Sequence, residues 1–96
     1  MLTHIVLFKF KPETTQDQVD RLTEGLGALP AQIAEIQEFR FGRDLIRSER
    51  SYDLGLISGF ADLDAMQRYQ VHPEHQKVVT LVKQIASSVV AVDFEE

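Results

Sequence analysis

The chain opens on a stretch in which nearly every position is apolar. Residues 2–10, Leu-Thr-His-Ile-Val-Leu-Phe-Lys-Phe, are rich in β-branched and aromatic side chains, and Lys11-Pro12 closes them, so a strand is predicted. The period then lengthens. Thr15 with Gln18 three residues on has the form of a capping box, and Val19, Leu22, Leu26 and Leu29 follow at helical spacing. Gly25 and Gly27 weaken that helix, and Pro30 is expected to interrupt it, leaving residues 31–36 as a second short helical piece. Glu38–Arg43 alternates, with Phe39, Phe41 and Arg43 on one face, and predicts a strand. Residues 45–51 are polar enough for a loop. Residues 52–60 predict a third strand, with Tyr52, Leu54, Leu56 and Phe60 on one face and Gly55 and Gly59 on the other. Asp62 can cap a helix carrying Leu63, Met66 and Tyr69. Proline suits a first helical position, where its missing N–H has no partner to lose, so a new helix is predicted from Pro73, carrying Val78, Val79, Val82, Ile85 and Ala86. Residues 89–94 predict the last strand.

The order is β-α-β-β-α-β, with each helix in two pieces. This is the ferredoxin-like arrangement of the α+β class, in which helices cover one face of a four-stranded antiparallel sheet. The first and last strands raise a difficulty. Ile5, Leu7, Val89 and Ala91 read as one apolar face, and Val6, Phe8, Phe10, Val90, Val92 and Phe94 as the other. Helices can cover only one of them. The other needs a second sheet, most simply from a second copy of the chain, so a homodimer packed sheet to sheet is expected.

Composition narrows the class. The 96 residues suit a single domain spanning positions 1–96, and 44% hydrophobic with 26% charged residues is ordinary globular usage. Cysteine is absent, which excludes disulfides and thiolate chemistry. The first apolar run breaks at Lys9, too early for a signal segment or a membrane span, so a cytoplasmic protein with no membrane partner is expected. The formal net charge of -5 is a poor match for a phosphate backbone, so no nucleic-acid partner is expected. Arg40, Arg43, Arg47 and Arg50 are interleaved with Asp44 and Glu49 and read as a solvated loop.

Four segments resemble the stress-responsive A/B barrel (Dabb) family of dimeric α/β-barrel proteins. They are His4-Ile5-Val6-Leu7-Phe8-Lys9-Phe10, Arg50-Ser51-Tyr52-Asp53-Leu54-Gly55-Leu56, Tyr69-Gln70-Val71-His72-Pro73-Glu74-His75-Gln76-Lys77-Val78-Val79, and Val89-Val90-Ala91-Val92-Asp93-Phe94. The His-Pro-x-His run before a valine-rich helix is the most specific. The resemblance implies face-to-face packing of two sheets in a dimer. Plant members include polyketide cyclases that close a ring without a cofactor. By that resemblance His75 is the base, Tyr69 helps to hold it, and His4 lies in the pocket. Leu26 and Leu54 stand where the cyclases carry a pocket tyrosine and a pocket histidine, so the resemblance implies the base without the same substrate-recognising groups.

The residues themselves give His75 an inward position, since with Val79, Val82 and Ala86 it follows i, i+4, i+7, i+11. A half-buried neutral imidazole is a usable general base near neutral pH, and the first turn of a helix disfavours its protonation. The same position also suits a core histidine bonded to a backbone carbonyl or to Tyr69. His72 is expected at the helix start, as a cap or at the surface. Three histidines without cysteine make a poor zinc site, so no metal and no cofactor are expected.

Three function classes follow. The first is a small dimeric protein that binds an apolar or aromatic small molecule, in its enzymatic form a cofactor-free lyase or cyclase with His75 as base. The second is a stress-associated structural dimer whose histidines only pack. The third, a dimeric-barrel monooxygenase, is disfavoured because tryptophan is absent.

Overall fold

A computed structural model describes residues 1–96. The elements run β1 (Leu2–Phe10), α1 (Gln16–Gln32), β2 (Glu38–Arg43), β3 (Leu54–Phe60), α2 (Leu63–Val71), α3 (Pro73–Ile85) and β4 (Ala86–Glu95). The strands form one antiparallel sheet in the order β2-β3-β1-β4, so the opening strand is central. No helix is long and apolar enough to cross a membrane.

The capping box at Thr15 is formed in both directions. Its hydroxyl accepts from the Gln18 N–H at 3.2 Å, and the Gln18 side chain accepts from the Thr15 N–H at 2.9 Å. The helix does not break at Pro30. The missing N–H falls in the last turn, and Ile33 N–H still reaches the Leu29 carbonyl at 2.9 Å, so one helix runs to Gln32. Residues 33–36 form a turn rather than a second helical piece. Gly25 has a packing reason, because a Cβ there would stand 3.3 Å from Val78 Cγ2 where α1 meets α3.

Two strand starts move. β3 begins at Leu54, and just before it the Asp53 carboxylate accepts from the Phe10 N–H (2.6 Å) and the Arg47 guanidinium (2.6 Å). β4 begins at Ala86, which also ends α3, so the chain passes directly from helix to strand. A register shift between Lys9 and Phe10 accommodates that join.

Directly paired residues point to the same face of an antiparallel sheet. Val6 pairs with Ala91 and Leu56, and Phe8 with Val89 and Leu54. These side chains lie under the helices with Leu2, His4 and Phe60. Ile5 pairs with Val92 and Ile57, and Leu7 with Val90 and Gly55, on the opposite face. The expected grouping of β4 is thereby corrected. Val89 and Ala91 belong with Val6 and Phe8, whereas Val90, Val92 and Phe94 belong with Ile5 and Leu7. Alternation within each strand was right, but only the register relates one strand to the next.

The core lies between the sheet and the three helices, built on Leu22, Leu26 and Leu29 from α1, Met66 and Tyr69 from α2, and Val78 and Ile85 from α3. Leu63, expected inward, is exposed, and Ala65 takes the inward place. Replacing the fully buried Leu22 with alanine should cost about 2–5 kcal/mol of unfolding free energy in denaturant titrations. Leu45→Ala, at a site 90% exposed, should stay within about 0.5 kcal/mol of wild type. Equal effects at the two sites would contradict this core.

Candidate functional site

The helix layer does not fully cover β4, and a cavity of about 330 Å³ opens there. Its floor is His4, Val6 and Phe8 of β1 with Val89 and Ala91 of β4. Its roof is the His75, Val79 and Val82 stripe of α3, one helical turn apart at each step. Leu26 and Tyr69 close the sides. The stripe that includes His75 therefore faces the cavity; Val78, buried beside it, also touches the cavity, while Ile85 is buried in the core.

His75 is half-buried in the first turn of α3. Its Nδ1 lies 3.0 Å from the Gln70 carbonyl oxygen. A carbonyl can only accept, so Nδ1 carries the proton and donates it. In the neutral ring Nε2 then holds the lone pair. No protein group hydrogen-bonds to Nε2. Burial pushes the His75 pKa below its ordinary value, the neighbouring His4 and His72 push the same way, and the Gln70 carbonyl opposes them.

The centroid of the Tyr69 ring lies 4.3 Å from that of the His75 ring and 4.9 Å from that of Phe60. Burial pushes the Tyr69 phenol up to about 12, which keeps it a hydrogen-bond donor at neutral pH. At the same end of the cavity His4 is buried, and its Nδ1 is hydrogen-bonded to the Asp93 carboxylate, directly across the β1–β4 ladder.

His4, Leu26, Tyr69 and His75 thus surround one space. His72 does not join them on the cavity wall. It ends α2 and caps α3, its Nδ1 accepting from the Glu74 N–H at 3.1 Å. Leu54 is not on the wall either. It packs in the core at 1% exposure, and its neighbour on the same face, Leu56, lines the cavity instead. Asp93 was missed as a partner of His4. The signal was a lone charge in the apolar run Val-Val-Ala-Val-Asp-Phe. No three His, Asp or Glu side chains converge in a way that could hold a metal ion.

A larger cleft, about 450 Å³, lies beside Lys9, Lys11, Arg43, Arg47 and Asp53. It is polar, and Arg47 is held by Asp53 at 2.6 Å. The smaller cavity is the better candidate, because apolar walls with a few convergent polar groups are what ligand sites have in common.

The family model described as "Stress responsive A/B Barrel Domain" matches residues 2–96. An uncharacterized protein of Streptomyces coelicolor is 34% identical over 98 residues, which cover 99% of each chain. A dimeric ferredoxin-like protein of unknown function from Thermobifida fusca superposes with a TM-score of 0.90 at 32% identity, over 99% of this chain and 90% of that one. A hydroxynitrile lyase from Passiflora edulis superposes with a TM-score of 0.86 at 18% identity, over 97% of this chain and 90% of that one, a likeness of fold alone.

The His75 geometry has a measurable signature. In nitrogen-detected NMR, His75 should titrate below the ordinary histidine value of about 6.5 and carry its neutral-form proton on Nδ1. Because its folded pKa is depressed, its contribution to stability is full above the unfolded value and declines as pH falls below it. An ordinary or raised pKa, or a proton on Nε2, would contradict the site as described.

Proposed function

The chain belongs to the stress-responsive A/B barrel family, and on that footing we propose that it works as a homodimer that binds a small apolar or aromatic molecule in the His75 cavity, with His75 as a cofactor-free general base. The observation that carries the reading is the free Nε2 lone pair of His75, whose ring packs against the Tyr69 ring at one end of an apolar cavity. A carbon acid bound there would lose a proton from the carbon next to its carbonyl to Nε2. The Tyr69 hydroxyl would donate to the oxygen on which negative charge develops, and the histidinium would return the proton. Lyase and cyclase reactions of the aldol type need only this.

The dimer reading rests on the uncovered sheet face. Leu7, Val90, Val92 and Phe94 stand there exposed, Val92 by 53%. Beside them the facing pair Gly42 and Gly55 leaves a shallow depression against Ile5, Leu7 and Ile57. A second sheet can seat its side chains in that depression and remove the whole patch from water. The Thermobifida fusca relative is itself dimeric.

One observation favours a second reading, a dimer without catalysis. His75 and the Gln76 side chain both donate to the Gln70 carbonyl, the latter at 2.6 Å, so His75 also ties the end of α2 to the start of α3.

Two experiments test these proposals. Light scattering at micromolar concentration should return twice the chain mass for wild type, and Val92→Asp should shift it toward the monomer; a monomeric wild type would end the dimer reading. Exchange of deuterium from D2O into benzoylacetone, followed by NMR, should be accelerated by wild type and lose about 10²–10⁴-fold in His75→Ala. If wild type gives no acceleration, and His75→Ala loses about 1–3 kcal/mol of stability that His75→Gln restores, the histidine is structural.

A further inference from the structure

The cavity is a slot with different chemistry at its two ends. Along its roof, Lys83 stands eight residues from His75, two turns on and on the same side of α3, a distance of about 12 Å at roughly 1.5 Å per residue. Along its floor, His4 and Phe8 are four residues apart, about 13 Å at roughly 3.3 Å per residue. The two lengths agree because α3 and β4 double back on each other. Asp93 pairs with His4 and Val89 with Phe8, so the polar groups gather below His75 and the far floor is wholly apolar. Lys83 is exposed and has no carboxylate within ion-pair distance, although the chain carries a net charge of -5.

We infer that this cavity takes an elongated amphipathic carboxylate, whose anionic end lies at Lys83 and whose carbonyl-bearing end lies at His75 and Tyr69, with an apolar body between them. The inference rests on the reading of the cavity as a ligand site and adds the class of molecule. Of the polar groups lining the cavity, only Lys83 is a permanent cation at neutral pH, so it is the one place where a carboxylate gains a charge partner. Val79 and Val82, between the two ends on the roof, with Val6 and Ala91 beneath, offer nothing to a polar midsection. An acidic protein repels anions at long range, and a cation at the mouth of the slot offsets that where the ligand enters. A lysine in the last turn also favours the helix dipole, but that role does not depend on any ligand.

Decanoate and decanol, one body with and without a charge, separate the terms by isothermal titration calorimetry. Lys83→Met keeps the aliphatic stem and removes the charge. It should weaken decanoate binding about fivefold, the upper range for a partly exposed ion pair, and leave decanol within about twofold. Lys83→Glu should weaken decanoate further, and added salt should weaken decanoate in wild type only. Val79→Trp, which fills the slot, should abolish binding of both. If Lys83→Met changes both ligands equally or neither, the inference fails while the cavity remains a ligand site. If neither ligand binds wild type, or Val79→Trp leaves binding intact, the reading of the cavity fails and the inference with it.

Discussion

In an antiparallel ladder, the pairing of two residues commits both side chains to one face, and in this protein the β1–β4 pairing settles where every apolar residue of both strands must go. Val6 opposite Ala91 and Ile5 opposite Val92 send one row under the helices and the other to the open side. A slip by one residue would reverse both rows. β1 is apolar on both rows because both need a cover, and only one cover comes from within the chain. Each half of the functional reading follows from that constraint: a cavity on the covered side, a self-association face on the other.

The covered side is incomplete at its edge. α1 packs closely on α3, where a Cβ at Gly25 would press on Val78, and α2 anchors itself through Tyr69 against Phe60. The helices pack down on β2, β3 and β1, but α3 stands off Val89 and Ala91 of the edge strand and leaves a cavity between. The space between is where His75 looks out. Its ring is oriented by Gln70, its protonation is disfavoured by burial and by the start of α3, and its neighbour Tyr69 stays protonated. In the proposed function these two side chains serve as base and hydrogen-bond donor, which suits reactions whose difficulty is the removal and return of a proton.

Features encoded locally were legible in the sequence. The capping box at Thr15, the Asp62 cap, the helix start at Pro73 and the inward stripe of His75 each depend on residues within a turn or two of one another. What was misread depended on context. Pro30 breaks a helix only if the helix must continue, and here the last turn absorbs it. Leu63 fits the helical period but sits at the exposed entry of a short helix. Leu54 and Leu56 are indistinguishable by alternation, and the position of Tyr69 and α3 above the sheet decides which one meets the cavity. Asp93 and Lys83 acquired meaning only through register and helix length, since each lies far in sequence from the group it faces.

Val89 and Val90 are adjacent in sequence and lie on opposite faces of the sheet, so one spectrum can read both halves of the account. Methyl NMR of valine-labelled protein during titration with benzoylacetone should move Val79, Val82 and Val89 together and leave Val90 and Val92 in place. Movement of Val90 and Val92 with Val79, Val82 and Val89 unchanged would contradict the claim that the helix-covered face holds the ligand site.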